Sequence, residues 1–90
     1  MAKYLITFSN RAKQDLKKIS KSNNVIKAKV KKILDDIEID PYNPEDNFKK
    51  LVGEYSHAYS KRINRKHRIV YTVIENEIRV LVMKMWTHYE

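Results

Sequence analysis

Near its end the chain reads Trp86-Thr87-His88-Tyr89, an indole, an imidazole and a phenol within four residues. Upstream lies Ser60-Lys61-Arg62-Ile63-Asn64-Arg65-Lys66-His67-Arg68, in which five of the eight residues from Lys61 to Arg68 are Lys or Arg. Imidazole titrates near neutrality and serves as a general acid or base. Guanidinium matches the geometry of phosphate with paired donors. Together they are the equipment for cutting a phosphodiester without a metal. In RNA the 2′-hydroxyl attacks the adjacent phosphorus and the 5′-oxygen leaves. One group must take the 2′ proton, one must protonate the leaving oxygen, and cations must hold the charge of the pentavalent transition state. His88 is the candidate acid, and Arg62 and Arg68 are the candidate cations. The competing reading of both arginines is as ordinary solvated strand positions. His57 and His67 read as surface residues without a chemical role. No histidine–carboxylate spacing suits a metal, so no cofactor is expected.

The charge layout says what such a site would meet. The net charge is +8. Residues 1–34 hold ten Lys/Arg and one acid, Asp15; residues 35–46 hold six acids and no base; residues 49–68 hold seven Lys/Arg and only Glu54 as an acid. Lysines spread over residues 13–32 read as the solvated faces of helices. The block from Lys61 to Arg68 concentrates its charge in a hairpin and points to a polyanion, or to an acidic protein. The absence of cysteine removes disulfides and thiolate metal sites and fits a reducing cytoplasm. No segment approaches the roughly 20 apolar residues of a membrane span, and Tyr4 to Phe8 is too short for a signal-peptide core.

Hydrophobic periodicity supplies the scaffold. Residues 1–90 are read as one domain. Lys3 to Phe8 alternates as a strand, and Ser9 is a helix N-cap. The first helix sets Ala12, Leu16 and Ile19 on one face. Ser20 to Asn24 breaks it, with Asn23 or Asn24 able to cap a second helix, whose stripe is Ile26, Val30, Ile33 and Ile37 beside Leu34. Pro41 and Pro44 end that helix. Phe48 to Val52 is a short strand or an extended piece, and Gly53 marks a turn. Strands follow at Ser56 to Ile63, Arg68 to Ile74 and Glu77 to Met85, joined at Asn64-Arg65, where Asn tolerates positive φ, and at Glu75-Asn76. Alternation sends Ile78, Val80 and Val82 to one face and Leu81, Met83 and Met85 to the other. Trp86 and His88 share a face if the strand runs that far. The expectation is an α+β domain of order βααβββ, with a twisted, mostly antiparallel sheet and a helical hairpin on one face.

The run from Tyr59 to Tyr71, read with Trp86-Thr87-His88-Tyr89, closely resembles the YoeB/Txe toxins of the RelE superfamily. There the segment reads roughly W/Y-S-R-R-I-x-x-x-H-R-[IVL]-V-Y and the chain closes on H-Y. The likeness extends to Phe48-Lys49-Lys50-Leu51-Val52-Gly53 and covers essentially the whole chain. It implies a metal-independent, ribosome-dependent endoribonuclease, an mRNA interferase that cleaves in the ribosomal A site and stops translation. It also implies a YefM/Phd-type antitoxin, which makes most contacts to operator DNA, and leaves open a homodimer. By that resemblance His88 matches the general acid, Arg68 the phosphate-stabilising arginine, Arg62 a second active-site arginine and Tyr89 the terminal tyrosine. Lys61 replaces an arginine; with Arg65 and Trp86 it is expected on the substrate side. The family's general base is a glutamate, and alignment on Leu51 and Gly53 puts Lys49 there. Lys49 with a lowered pKa, Glu45 or Glu54 displaced by the loop, or an enzyme that relies on positioning and cations all fit that departure. Lysines on both helices are suited to steering towards ribosomal RNA.

Three other functions share the features. A ParE-like gyrase inhibitor would keep the fold without the histidine–arginine set. A plain nucleic-acid-binding module would need stacking platforms or a groove-reading helix. A structural protein binding an acidic partner would explain the charge alone.

Overall fold

A computed structural model describes residues 3–53 and 57–86. Strand β1 (Leu5–Phe8) leads into helix α1 (Asn10–Ser20) and helix α2 (Asn24–Ile39). Four strands follow: β2 (Lys49–Lys50), β3 (Tyr59–Arg62), β4 (Arg68–Ile74) and β5 (Arg79–Lys84). They make one five-stranded sheet of order β1-β5-β4-β3-β2. That is one strand more than the expected order, because Lys49–Lys50 pairs with β3 as a short edge. The three pairs of β2 to β5 are antiparallel, while β1 runs parallel to β5 at the other edge.

Both helices begin where a side chain can replace a missing acceptor. Ser9 Oγ accepts from Ala12 N–H at 3.1 Å, and Asn23 Oδ1 accepts from Ile26 N–H at 2.9 Å. The stripe of α2 is as expected: Val30, Ile33 and Ile37 are buried against Ile69, Tyr71, Val80 and Val82 of the sheet. On α1 the buried residues are Ala12, Asp15 and Ile19, and Leu16 is exposed. The turn of 100° per residue leaves Leu16 at the rim of a groove of about 420 Å³ between the helices. No helix residue joins the smaller cluster of Leu51, Ala58, Val70 and Met83, which marks the opposite sheet face.

The expected alternation on β5 fails at its end. Val70 pairs with Lys84 but Tyr71 pairs with Val82, so Met83 is an extra residue in the ladder. Such a bulge reverses which face the following residues take. Met85 therefore lies in the main core beside Val82 rather than with Met83. The tight turn expected at Asn64-Arg65 is also different. Asn64 has no positive φ; its Oδ1 accepts from Lys66 and His67 N–H, which closes a wider loop. Among non-glycine residues, positive φ falls at Asp46, Asn47 and Ile78, and Gly53 turns at φ 75°.

The Asp46–Asn47 pair ends an acidic loop that is fastened on three sides. Asp46 accepts from Lys29 and Lys32 of α2. Its carbonyl accepts from Arg62 N–H at 2.7 Å. Tyr71 Oη donates to Pro41 O at 2.7 Å from within the core. Burial works against the Asp46 charge, but hydrogen bonds from the two lysines outweigh it and hold the carboxyl below its usual range. A carboxyl lowered on folding stabilises the fold fully above about pH 4, and the contribution fades as pH falls through the folded value. Asp46→Ala should cost about 2 kcal/mol in urea unfolding at pH 7, and the loss should shrink below pH 4. Lys31→Ala, which breaks an exposed pair with Asp35, should change stability by less than about 0.5 kcal/mol.

Candidate active site

The β3–β4 ladder sets Arg62 directly opposite Arg68, and the β2–β3 ladder sets Lys49 opposite Ser60. Directly paired residues of antiparallel strands share a face. Ser60 in turn pairs with Val70, a member of the helix-free cluster. Lys49, Ser60, Arg62 and Arg68 therefore stand on the helix-free face, across three adjacent strands. Strand spacing puts the Cα atoms of Lys49 and Arg68 on the order of 12 Å apart, within joint reach of two long side chains.

Arg68 is the fixed member. It is 7% exposed. Its Nε donates to Ser60 Oγ at 3.0 Å, and Nη2 donates to Asn47 O at 2.7 Å. Two donors held on different elements set the plane of the guanidinium, which is what bidentate contact with a phosphate requires. Lys49, Arg62 and Arg65 are exposed, the last at the hairpin tip. Arg62 stands directly across the ladder from Arg68.

Lys61 does not stand where a substrate could meet it. It is fully buried, and its Nζ donates to Asn43 O at 2.9 Å, Asn43 Oδ1 at 2.7 Å and Glu45 O at 2.8 Å. All three ammonium protons are used. The ring of Phe48 lies 5.3 Å from the nitrogen. Burial pulls this ammonium below the usual lysine range, with Asp46, Asp36 and Glu45 pushing back. The residue expected on the substrate side instead braces the acidic loop, and a lone pair released on it would face carbonyl oxygens.

Trp86 lies past the end of β5 and is half-buried. Its ring stacks on His67, with centroids 3.7 Å apart and planes 13° from parallel. His67, read from sequence as a surface residue, is thus a half-buried platform for the indole. His88 and Tyr89, the expected acid and terminal tyrosine, lie outside the described residues, as does Glu54. Glu45 is exposed on the loop whose carbonyls bind Lys61. Among the described residues no group of histidines and carboxylates is placed to hold a metal.

Two contributors were missed in the sequence. Ser60 orients Arg68, a role visible only once β3 and β4 are paired. Asp15 is fully buried and accepts from Met85 N–H at 3.0 Å. Its signal was present, since it is the single acid among the first 34 residues.

A family model for the YoeB-like toxin of bacterial type II toxin–antitoxin systems matches residues 8–89. The chain is 30% identical to the toxin in a YoeB–YefM complex from Staphylococcus aureus, covering 98% of this chain and 100% of that one at a TM-score of 0.81. A YoeB dimer from the same organism matches at 30% identity and a TM-score of 0.82, with the same coverage. A YoeB/ParE toxin from Agrobacterium tumefaciens shares the fold at 20% identity and a TM-score of 0.87, over 94% of this chain and 99% of that one. No curated protein matches the chain. No helix among the described residues is long and apolar enough to cross a membrane.

If Lys61 is a brace and Arg62 a functional charge, their removal should differ in its effect on stability. Lys61→Ala should cost about 3 kcal/mol in urea unfolding, because the loop loses three charge-assisted bonds. Arg62→Ala, at an exposed position, should lie within about 0.5 kcal/mol of wild type, so the two changes separate brace from surface charge.

Proposed function

The chain belongs to the YoeB-like toxins of bacterial type II toxin–antitoxin systems, and on that premise we propose that it is an endoribonuclease that cleaves mRNA in the ribosomal A site. The observation that carries the reading is the oriented guanidinium of Arg68, facing Arg62 on the helix-free sheet face. In the proposed reaction Arg68 holds the non-bridging phosphate oxygens with its pre-set fork. Arg62, free to swing, adds charge as the pentavalent transition state forms. His88 gives its proton to the departing 5′-oxygen, and Tyr89 and Arg65 contact the substrate. Trp86 has one ring face against His67 and packs on the main core, so it opens no two-sided stacking slot.

Lys49 takes the part of the base. It lies on the same face as Arg68. Only the neutral form of an amine has a lone pair to accept a proton. Such a base makes a slow enzyme, whose turnover leans on cations and positioning.

The ribosome supplies the rest of the setting. Lys13, Lys17, Lys18, Lys21 and Lys27 are exposed on the helices and suit contact with ribosomal RNA. We further propose neutralisation by a YefM/Phd-type antitoxin, the kind of partner found with the Staphylococcus aureus toxin, and contact with operator DNA only through that antitoxin. An acidic segment of the antitoxin would suit the basic hairpin that carries Arg62 and Arg65.

Primer extension on a reporter mRNA in a cell-free translation system tests the reading. Discrete cuts within the A-site codon should appear with wild type and require ribosomes. His88→Ala and Arg68→Ala should each lower cleavage by about 100-fold or more. Lys49→Ala should cut more slowly than wild type. Lys49→Glu, which restores the family's carboxylate, should cut faster at pH 7. No cuts with translation still running would overturn the reading and favour a gyrase-directed toxin of the same fold.

A further inference from the structure

Lys61 and Arg68 reach the same short loop from opposite faces of the sheet. Lys61 pairs across the ladder with Ile69 of the main core, so it stands on the helix side. From there its Nζ donates to the carbonyls of Asn43 and Glu45. Arg68 stands on the helix-free side, where its Nη2 donates to the carbonyl of Asn47 at 2.7 Å. Between the two faces, Arg62 N–H donates to Asp46 O at 2.7 Å. Asn43, Glu45, Asp46 and Asn47 thus each give a carbonyl oxygen to the β3–β4 hairpin.

The Asn47 carbonyl is held where its own backbone conformation is unfavourable. Asp46 and Asn47 have φ of 58° and 57°. Adjacent left-handed residues without glycine persist only where their surroundings over-determine them. The Asp46 side chain ties the loop to α2. The ties that face the hairpin are the Arg62 N–H and Lys61. Lys61 is a costly brace, because it is fully buried and burial pulls its ammonium below the usual lysine range. An apolar side chain of similar length would fill the space without that cost. It would not hold three oxygens at 2.7 to 2.9 Å, one of them on Glu45, two residues before Asn47.

We infer that Lys61 is a positioning residue for the proposed cleavage: from the opposite face of the sheet it holds the loop so that the Asn47 carbonyl fixes the plane of the Arg68 guanidinium. The inference rests on the nuclease reading. Ser60 holds one edge of that guanidinium through Nε, and Asn47 holds another through Nη2. If the loop shifts, the first contact stays and the plane is no longer set. A guanidinium out of plane loses its paired contact with a phosphate. Misplacing a catalytic group by about 1 Å can reduce a rate by about 100-fold.

The test compares wild type with Lys61→Met, which keeps the length of the side chain and removes its donors. Maximal A-site cleavage at saturating ribosomes should fall about tenfold, while the half-saturating toxin concentration stays within about twofold. NMR should show Arg68 rotating faster about its Cζ–Nη2 bond. In an Arg68→Ala background the same change should lower cleavage by no more than about twofold, because the group being positioned is gone. Wild-type cleavage in Lys61→Met would overturn the inference. So would an equal loss with and without Arg68, which would mark a general loss of structure. If urea titration shows Lys61→Met unfolded, Asn43→Ala, which removes one of the three acceptors, decides instead. It should lower maximal cleavage at least threefold with half-saturation unchanged, and a wild-type rate there overturns the inference. If wild type itself does not cut, the nuclease reading falls and the inference with it. Unchanged Arg68 rotation in Lys61→Met refutes the positioning alone and leaves the nuclease reading standing.

Discussion

Much of this molecule answers to a single constraint: the β3–β4 register puts Lys61, Arg62 and Arg68 on two adjacent strands, Lys61 towards the helices and both arginines on the opposite face. Three cations so close would push the hairpin apart if nothing received them. Neutral oxygens receive donors of two of them. Carbonyls of Asn43, Glu45 and Asn47, the Asn43 amide and the Ser60 hydroxyl take the donors of Lys61 and Arg68. Dipoles can orient a cation without cancelling its charge, whereas a carboxylate would do both. The acids of the same loop are turned elsewhere: Asp46 goes to Lys29 and Lys32 on α2. Positive φ at Asp46 and Asn47 is the backbone consequence, since the loop must send side chains to the helix and carbonyls to the sheet. The hairpin and the loop are therefore held in shape together.

The parts of this design that depend on neighbours in sequence were legible in it. Ser9 and Asn23 cap the helices because a hydroxyl or amide three residues ahead of an N–H needs no distant partner. The α2 stripe and the bounds of β4 followed from periodicity. What periodicity could not reveal is what only pairing decides. The parallel join of β1 to β5 links residues more than 70 positions apart in the chain. One extra residue at Met83 inverted the facing of Met85. Lys61 looked like a charge for a substrate because a buried lysine and an exposed one have the same letter; three acceptors 16 to 18 residues earlier decide between them.

The candidate site shows the same division. Resemblance assigned Arg62, Arg68 and Lys49, and pairing places all three on one face. Neither composition nor motif pointed to Ser60, which acts on a side chain brought to it by folding, and the one signal for Asp15 was its place as the single acid among the first 34 residues. The histidine at position 67 is a related case. A polar residue in a basic hairpin reads as solvated, yet its flat ring is as good a packing surface as an aromatic residue's, and Trp86 uses it.

The pairing of β1 with β5 also orders events in time. Synthesis delivers residues 5–8 first and residues 79–84 last, so β1 has no strand partner until nearly all the described chain exists. The hairpin of β3 and β4 closes over a short loop and can form early. The Ser9 and Asp15 bonds to β5 can only come at the end. The nascent protein thus carries its cation-bearing hairpin before its first strand is joined. Assembly is a delay line: the five-stranded sheet is complete only when the first strand meets the last.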